Sequence, residues 1–300
     1  MGADAGRDGS GDRSGAGGWG FTDDRGVALR LPRRPRRVVA YVRAGAALLD
    51  LGVVPVAVYG SGHDGSGLDP VKAGELAAAG VPYLGPGRLL TGDLGGALDG
   101  VRPDLVVDVT YDGKSGYALD EAVVERLGVP LVALSVGADL ALAGILERFG
   151  QLAEVLRGEA GGHGDSSAVS AAEAEVAAAA GVPAVLALSG AGPEQVHLAR
   201  PQAWPELARL RELGVRLVEP GSGAGTGWLT TGWERAAELE PSVVLVDSRA
   251  NAVRVESSEH PAAWRAVAER ARLVPWNPET PPSPAAFARF FREVAAALRG

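Results

Sequence analysis

The chain has 300 residues, 46% of them hydrophobic, enough for two ordinary domains each with its own core. A net charge of −8 argues against a nucleic-acid partner, because phosphate binding needs a positive face. Cysteine is absent, which excludes disulfides, thiolate metal sites and thiol nucleophiles.

Residues 1–20, MGADAGRDGSGDRSGAGGWG, are rich in Gly, Asp and Ser and are expected to form a disordered leader. They lack the basic start and apolar core of a signal peptide. RRPRR (33–37) precedes an apolar run, but Arg43 and Asp50 interrupt it and no small-residue cleavage site follows. No stretch approaches the ~18 uncharged apolar residues of a membrane helix.

Short Val-rich runs then alternate with helical stretches. The first half carries RVVAYV (37–42), VPVAVYG (54–60), VPYLG (81–85), DLVVDVT (104–110) and VPLVALS (129–135). The second carries VPAVLALSG (182–190), VRLVEPG (215–221), SVVLVDS (242–248) and RLVPWN (272–277). Continuous rather than alternating apolar runs predict strands buried on both faces, as in parallel sheets covered by helices. Asp69-Pro70 predicts a helix start, and Ser170 with Glu173 predicts a capping box. DEAVVERLG (120–128) and PAAWRAVAER (261–270) read as amphipathic helices leading into strands. Between the halves, Leu142, Ile145, Leu146, Phe149, Leu152, Val155 and Leu156 share one helical face. The expected architecture is therefore α/β: two Rossmann-like lobes with mostly parallel sheets, 21–137 and 162–300, joined by one long bridging helix, 138–161. One continuous helix limits hinge motion between the lobes. One phrase occurs twice, VRPDLVVDVTYDG (101–113) and LEPSVVLVDSRAN (239–251), as a helix-to-strand-to-loop step in each half.

Ligands of open α/β sheets sit beyond the carboxyl ends of the strands. The first lobe there offers Tyr41, Arg43, Tyr59, His63, Tyr111, Asp112, Lys114 and Tyr117. The second offers His197, Arg200, Trp204, Trp228, Arg249, Asn251 and Trp276. Tyr and Trp supply flat surface with a polar edge, and Arg grips carboxylates with two prongs. All five tyrosines fall in the first lobe, four of them at or just past a strand end. The structural alternative is that the tryptophans only pack the lobe surface and that His63 and His197 are structural.

Two segments resemble nucleotide motifs. DVTYDGKS (108–115) misses a P-loop because Asp108 replaces the first glycine, where a carboxylate repels phosphate. GSGHDG (60–65) fits G-x-G-x-x-G, but the helix does not open there and no ribose-binding acid ends the next strand.

WGFTDDRGVALRLPRRPRRVVAY, followed in order by LGVVPVAVYG, VRPDLVVDVTYDG, LGVPLVAL, LEPSVVLVDS and PAAWRAVAERARLVPW, resembles the siderophore and cobalamin class of ABC-transporter substrate-binding proteins. The resemblance runs from Trp19 to the C-terminus. It implies a monomeric binding protein, not an enzyme, that takes a ferric siderophore, haem or a cobalamin-like ligand between its lobes. Arg43, Lys114, Arg200 and Arg249 would suit an anionic chelate, and Tyr59, Tyr111 or His63 would serve a haem. No metal site of the protein's own and no cofactor is expected, since only four histidines exist, with His163 and His260 in surface turns. The resemblance also implies docking on an ABC permease through one glutamate per lobe. Glu234 matches the second-lobe position, whereas the first falls on Gly96, with Asp93 and Asp99 nearby. It implies an extracytoplasmic location, and a cytoplasmic one if Met1 is the true start. The competing class is a cytoplasmic, nucleotide-dependent enzyme or accessory protein that reuses the two-lobed scaffold.

Overall fold

The computed structural model describes residues 18–87, 93–158, 166–255 and 262–300. Most of the leader, 1–17, and both His163 and His260 lie outside those residues. Gly18 to Gly20 do not behave as leader. A hairpin of β1 (Trp19–Thr22) and β2 (Ala28–Leu31) opens the fold, with Trp19 buried and its indole N–H donating to the Val155 carbonyl at 3.1 Å.

The first sheet holds β3 (Val38–Tyr41), β4 (Ala57–Gly60), β5 (Tyr83–Pro86), β6 (Leu105–Thr110) and β7 (Leu131–Ser135). All are parallel, in the order β5-β4-β3-β6-β7. Four helices connect them: α1 (Val42–Asp50), α2 (Pro70–Ala73), α3 (Asp93–Val101) and α4 (Glu121–Leu127). The Asp-Pro start is confirmed, since Asp69 accepts from the Val71 N–H at 2.9 Å, but α2 lasts only four residues before Gly74 turns at φ 51°. β7 lies at the sheet edge, where unpaired backbone groups need partners. The FTDD turn supplies them: Asp23 accepts from the Ala133 N–H at 3.1 Å and Asp24 from the Ser135 N–H at 2.7 Å.

The bridging helix is α5 (Leu142–Arg157), shorter than the expected 138–161. Ala138 and Asp139 stay outside the helix, whose N-cap is Ala141, and residues 159–161 lie outside the described chain. Ile145, Phe149, Leu152, Ala153 and Leu156 join the first core, whereas Leu142 joins the second. A single helix therefore belongs to both hydrophobic cores.

The second half adds α6 (Ser167–Ala179), β8 (Ala184–Gly190), β9 (Gln195–Ala199), α7 (Pro205–Glu212), β10 (Arg216–Leu217), β11 (Trp228–Gly232) and α8 (Trp233–Glu238). It closes with β12 (Val243–Asp247), α9 (Ala262–Arg270), β13 (Arg272–Trp276) and α10 (Pro284–Arg299). The sheet runs β11-β9-β8-β12-β13, with β10 parallel to the start of β8. Along β8 and β12, Val185, Ala187, Val243 and Leu245 enter a core under α6, α7 and α10. Leu186, Leu188, Val244 and Val246 enter a separate core under α8 and α9. Burial on both faces is why these runs are apolar throughout.

Two details correct the sequence reading. α6 begins at Ser167, so Ser170 is interior to the helix rather than a cap; Glu173 is drawn instead to Arg209 of α7, at 2.8 and 2.9 Å. The antiparallel β9–β11 pair was not foreseen, although the alternation in QVHLA is its period-2 signal. The repeated phrase is matched in backbone as well as in letters. Arg102 and Glu240, each just before its proline, are the non-glycine residues with positive φ among those described, at 49° and 45°.

Candidate functional site

Both sheets reverse their winding near the middle, between β3 and β6 in one lobe and between β8 and β12 in the other. In such sheets the crevice beyond the carboxyl ends at the reversal is where ligands bind. A cavity of about 520 Å³ lies between the lobes there. The first lobe contributes Arg43, Tyr111 and the Val136–Asp139 loop; the second contributes Trp204, Glu206, Trp228 and the Thr226–Gly227 backbone.

β3 runs into α1 without a loop, which places Arg43 in the first helical turn beyond the strand end. Its guanidinium donates to the Tyr111 hydroxyl at 3.0 Å and to the Thr280 carbonyl at 3.1 Å. Tyr111 follows β6, so this pair spans the reversal point. Burial would lower the Arg43 pKa, but Tyr111 and the carboxylates of Glu206 and Glu279 raise it overall, which keeps the guanidinium charged. Tyr111 is 38% exposed as a residue; its ring stands edge-on to Tyr117 at 4.9 Å, and Tyr117 stands edge-on to Tyr41 at 5.8 Å. Gly137 is required beneath it, because a Cβ there would lie 2.8 Å from the Tyr111 carbonyl oxygen.

Across the cavity Trp204, Trp228 and Trp276 form a mutual contact triangle with ring centroids 4.8, 5.5 and 5.8 Å apart. Trp204 and Trp228 are half-buried, whereas Trp276 is fully buried and donates its indole N–H to Glu206 at 3.2 Å. A glycine-rich loop, 221–227, frames this wall. Arg200 holds it by donating to the carbonyls of Gly221, Gly223 and Gly225 at 2.7, 3.0 and 3.1 Å. The first-lobe wall thus presents one tyrosine, Tyr111, and the second-lobe wall two tryptophans, Trp204 and Trp228.

Behind the cavity a buried charge network joins the lobes. Lys72, 0% exposed, bridges Asp64 at 2.7 Å and Glu279 at 3.1 Å. Glu279 also takes Arg249 at 2.6 Å and the Tyr41 hydroxyl. Burial alone would raise the Glu279 carboxyl, but Lys72, Arg249, Tyr41 and Arg43 together pull it down to about 2. Arg249 is gripped a second time by Asp247 at 2.7 Å. Further ties cross the gap: Asp69 accepts from the Ala250 N–H at 2.8 Å, Asn277 donates to the Val71 carbonyl at 3.0 Å, and Ser283 meets Asp50.

The structure therefore sorts the sequence candidates. Arg43, Tyr111, Trp204 and Trp228 line the cavity. Tyr41, Arg249 and Trp276 stand behind it, in the network or the tryptophan triangle. Tyr59 is fully buried, its hydroxyl near the Val107 carbonyl at 3.4 Å, which puts it in the lobe core. His63 and Lys114 are exposed and are not among the cavity-lining residues. His197 packs against Trp228 at 6.1 Å and pairs with the Thr230 hydroxyl at 2.9 Å. Sequence reasoning missed Asp139, Glu206, Lys72 and Glu279. Glu206 directly after Pro205, at a helix start, resembles any first-turn acid and carries no signal of its partner.

Neither nucleotide-like segment offers a phosphate cradle. Asp108 is buried and accepts the N–H groups of Val109, Ala118 and Leu119 at 2.7, 3.0 and 3.1 Å, which fills its loop with a carboxylate; burial pushes that carboxyl up to about 7. In the same loop Asp112 is lowered to about 2 by the N–H groups of Lys114 and Ser115. Asp64 occupies the other segment, accepting from the Ser61 N–H at 2.6 Å and from Lys72.

Two α/β lobes, one bridging helix and an aromatic cavity at both sheet reversals make up the architecture of helix-bridged, two-lobed binding proteins. No protein-family model and no curated protein matches the sequence. Solved structures do. The chain is similar to DesE, a ferric-siderophore receptor protein from Streptomyces coelicolor, with 26% identity and a TM-score of 0.81 over 94% of this chain and 98% of that one. FhuD from Vibrio cholerae, a siderophore-binding protein solved with Fe3+-Desferal, matches at 20% identity and TM-score 0.62 over 88% and 98%. A periplasmic heme-binding protein from Pseudomonas aeruginosa matches at 19% and 0.58 over 88% and 93%. These neighbours are siderophore- and heme-binding proteins, and the chain shares their two-lobed fold over nearly its whole length.

Proposed function

We propose that this chain is the extracytoplasmic receptor of an ABC importer and carries a ferric siderophore, or a similar metal chelate, in the cavity between its lobes. The observation that carries this reading is the cavity itself, aromatic on both walls and placed at both sheet reversals, in a fold shared with DesE over nearly the whole chain. A chelate arrives with its metal saturated, so the protein needs shape and flat surface rather than metal ligands. Haem fits less well. Of the candidate axial ligands, Tyr59 is sealed in the lobe core and the exposed His63 is not among the residues lining the cavity, which leaves Tyr111, whose hydroxyl already accepts from Arg43 at 3.0 Å.

Intrinsic tryptophan fluorescence tests the reading, since three of the six tryptophans form the triangle at the cavity. Saturable quenching by ferric siderophores at micromolar or tighter affinity is expected. A response to ATP or NAD with silence toward every chelate and haem would sink it.

For the permease, Glu234 is exposed in the first turn of α8, as the docking role requires. Gly96 is exposed on α3, with open space where a Cβ would go. Gly96→Glu is therefore expected to be tolerated and to raise stability by about 0.5–1 kcal/mol through helix propensity. Urea unfolding checks that, and a drop in the midpoint would contradict it. If the missing glutamate limits docking, the same variant strengthens stimulation of the permease ATPase.

A further inference from the structure

Four cations suited an anionic ligand in the sequence, and the fold commits nearly all of them elsewhere. Arg200 donates all three guanidinium nitrogens to loop carbonyls. Arg249 is held by Asp247 and Glu279. Lys114 lies outside the cavity lining. Among the described lining residues the cation is Arg43, already engaged by Tyr111 and Thr280, and it is outnumbered by two acidic side chains, Glu206 and Asp139. Glu206 is 2% exposed and faces Arg43; Asp139 is exposed at the cavity edge. The lining therefore sets one cation, Arg43, against two acidic side chains among aromatic faces; burial raises the Glu206 carboxyl, which Arg43 opposes, and Asp139 is the exposed one.

We infer that the cavity selects ferric chelates of zero or positive net charge, of the trihydroxamate kind, and rejects anionic tris-catecholates, with Asp139 as the residue that favours a cationic chelate. The inference rests on the chelate reading above and adds the charge class. Three hydroxamates neutralise Fe3+, whereas three catecholates leave a surplus of negative charge that would meet two acidic side chains in a partly desolvated cavity. A cation also gains from the faces of Trp204 and Trp228.

The test titrates tryptophan fluorescence with three probes: ferric desferrioxamine B, which carries a pendant ammonium; its N-acetylated derivative, which is neutral; and ferric enterobactin, a tris-catecholate. Both hydroxamate probes are expected to bind at least tenfold more tightly than ferric enterobactin. Asp139→Asn is expected to weaken the ammonium-bearing probe about fivefold, the scale of one exposed ion pair. It should leave the acetylated probe within about twofold. Because Asp139 is exposed and outside any helix, the variant should fold, and circular dichroism verifies it. Preference for ferric enterobactin, or an equal loss of both hydroxamate probes in Asp139→Asn, overturns the charge inference while leaving the chelate receptor intact. Binding of none of the three overturns both.

Discussion

Lys72→Met is expected to cost about 3–5 kcal/mol of folding stability at neutral pH. Lys72 is fully buried between Asp64 and Glu279, so removing its ammonium leaves two carboxylates without their shared counter-ion. Urea unfolding measures it, and a loss below about 1 kcal/mol would mean the lobes are not held by this network. Lys72→Met combined with Asp64→Asn should recover part of the loss, because Asp64 is the carboxylate left without its ion-pair partner, whereas Glu279 keeps Arg249. Glu279 sets a pH dependence. Its folded pKa of about 2 lies below the ordinary value of 4.5, so its contribution is complete above pH 4.5 and falls away as the pH drops toward 2. Acid titration of the wild type should show that loss, and Glu279→Gln should flatten it. The network also explains why large lobe opening is not expected. The lobes share the core helix α5, the ion pairs and the Asp69–Ala250 and Asn277–Val71 hydrogen bonds.

Trp228→Ala is expected to weaken ferric-chelate binding by about 2 kcal/mol, roughly thirtyfold in Kd, the loss typical of a central aromatic anchor. Trp228 presents its half-buried ring to the cavity and packs against both Trp204 and Trp276. Trp228→Phe keeps a flat face and should retain most of the affinity. Isothermal titration calorimetry separates the outcomes, with thermal unfolding as the control for the β9–β11 pairing that Trp228 begins. Unchanged affinity in Trp228→Ala would place the ligand elsewhere. Lys114→Ala is the internal contrast, since an exposed side chain outside the lining should leave affinity unaltered.

Much of this protein was legible in its letters, for local reasons. Val-rich runs between capping residues and glycines mark doubly buried strands, because period and composition record how many faces are covered. Asp69-Pro70 marks a helix start, because the cap bond closes within two residues. The FTDD turn and the repeated β6 and β12 phrase carried the resemblance to the class. From the strand ends came Arg43, Tyr111, Trp204 and Trp228 as cleft candidates, and those four line the cavity.

What the sequence could not decide was which charges are free. Arg43, Arg200, Arg249 and Lys114 look alike as cations in a string. Whether each meets a carboxylate, a carbonyl, a phenol or water depends on groups as far away as Arg249 and Glu279, or Lys72 and Glu279, 207 residues apart. Likewise, Tyr59 and Tyr111 both follow the strand-end rule, yet one is sealed in the core and the other opens to the cavity. Strand register and backbone turns set where a chain points, and the sequence expresses them locally. Electrostatic pairing and exposure are set by what the other lobe brings opposite, so only the tertiary structure decides them.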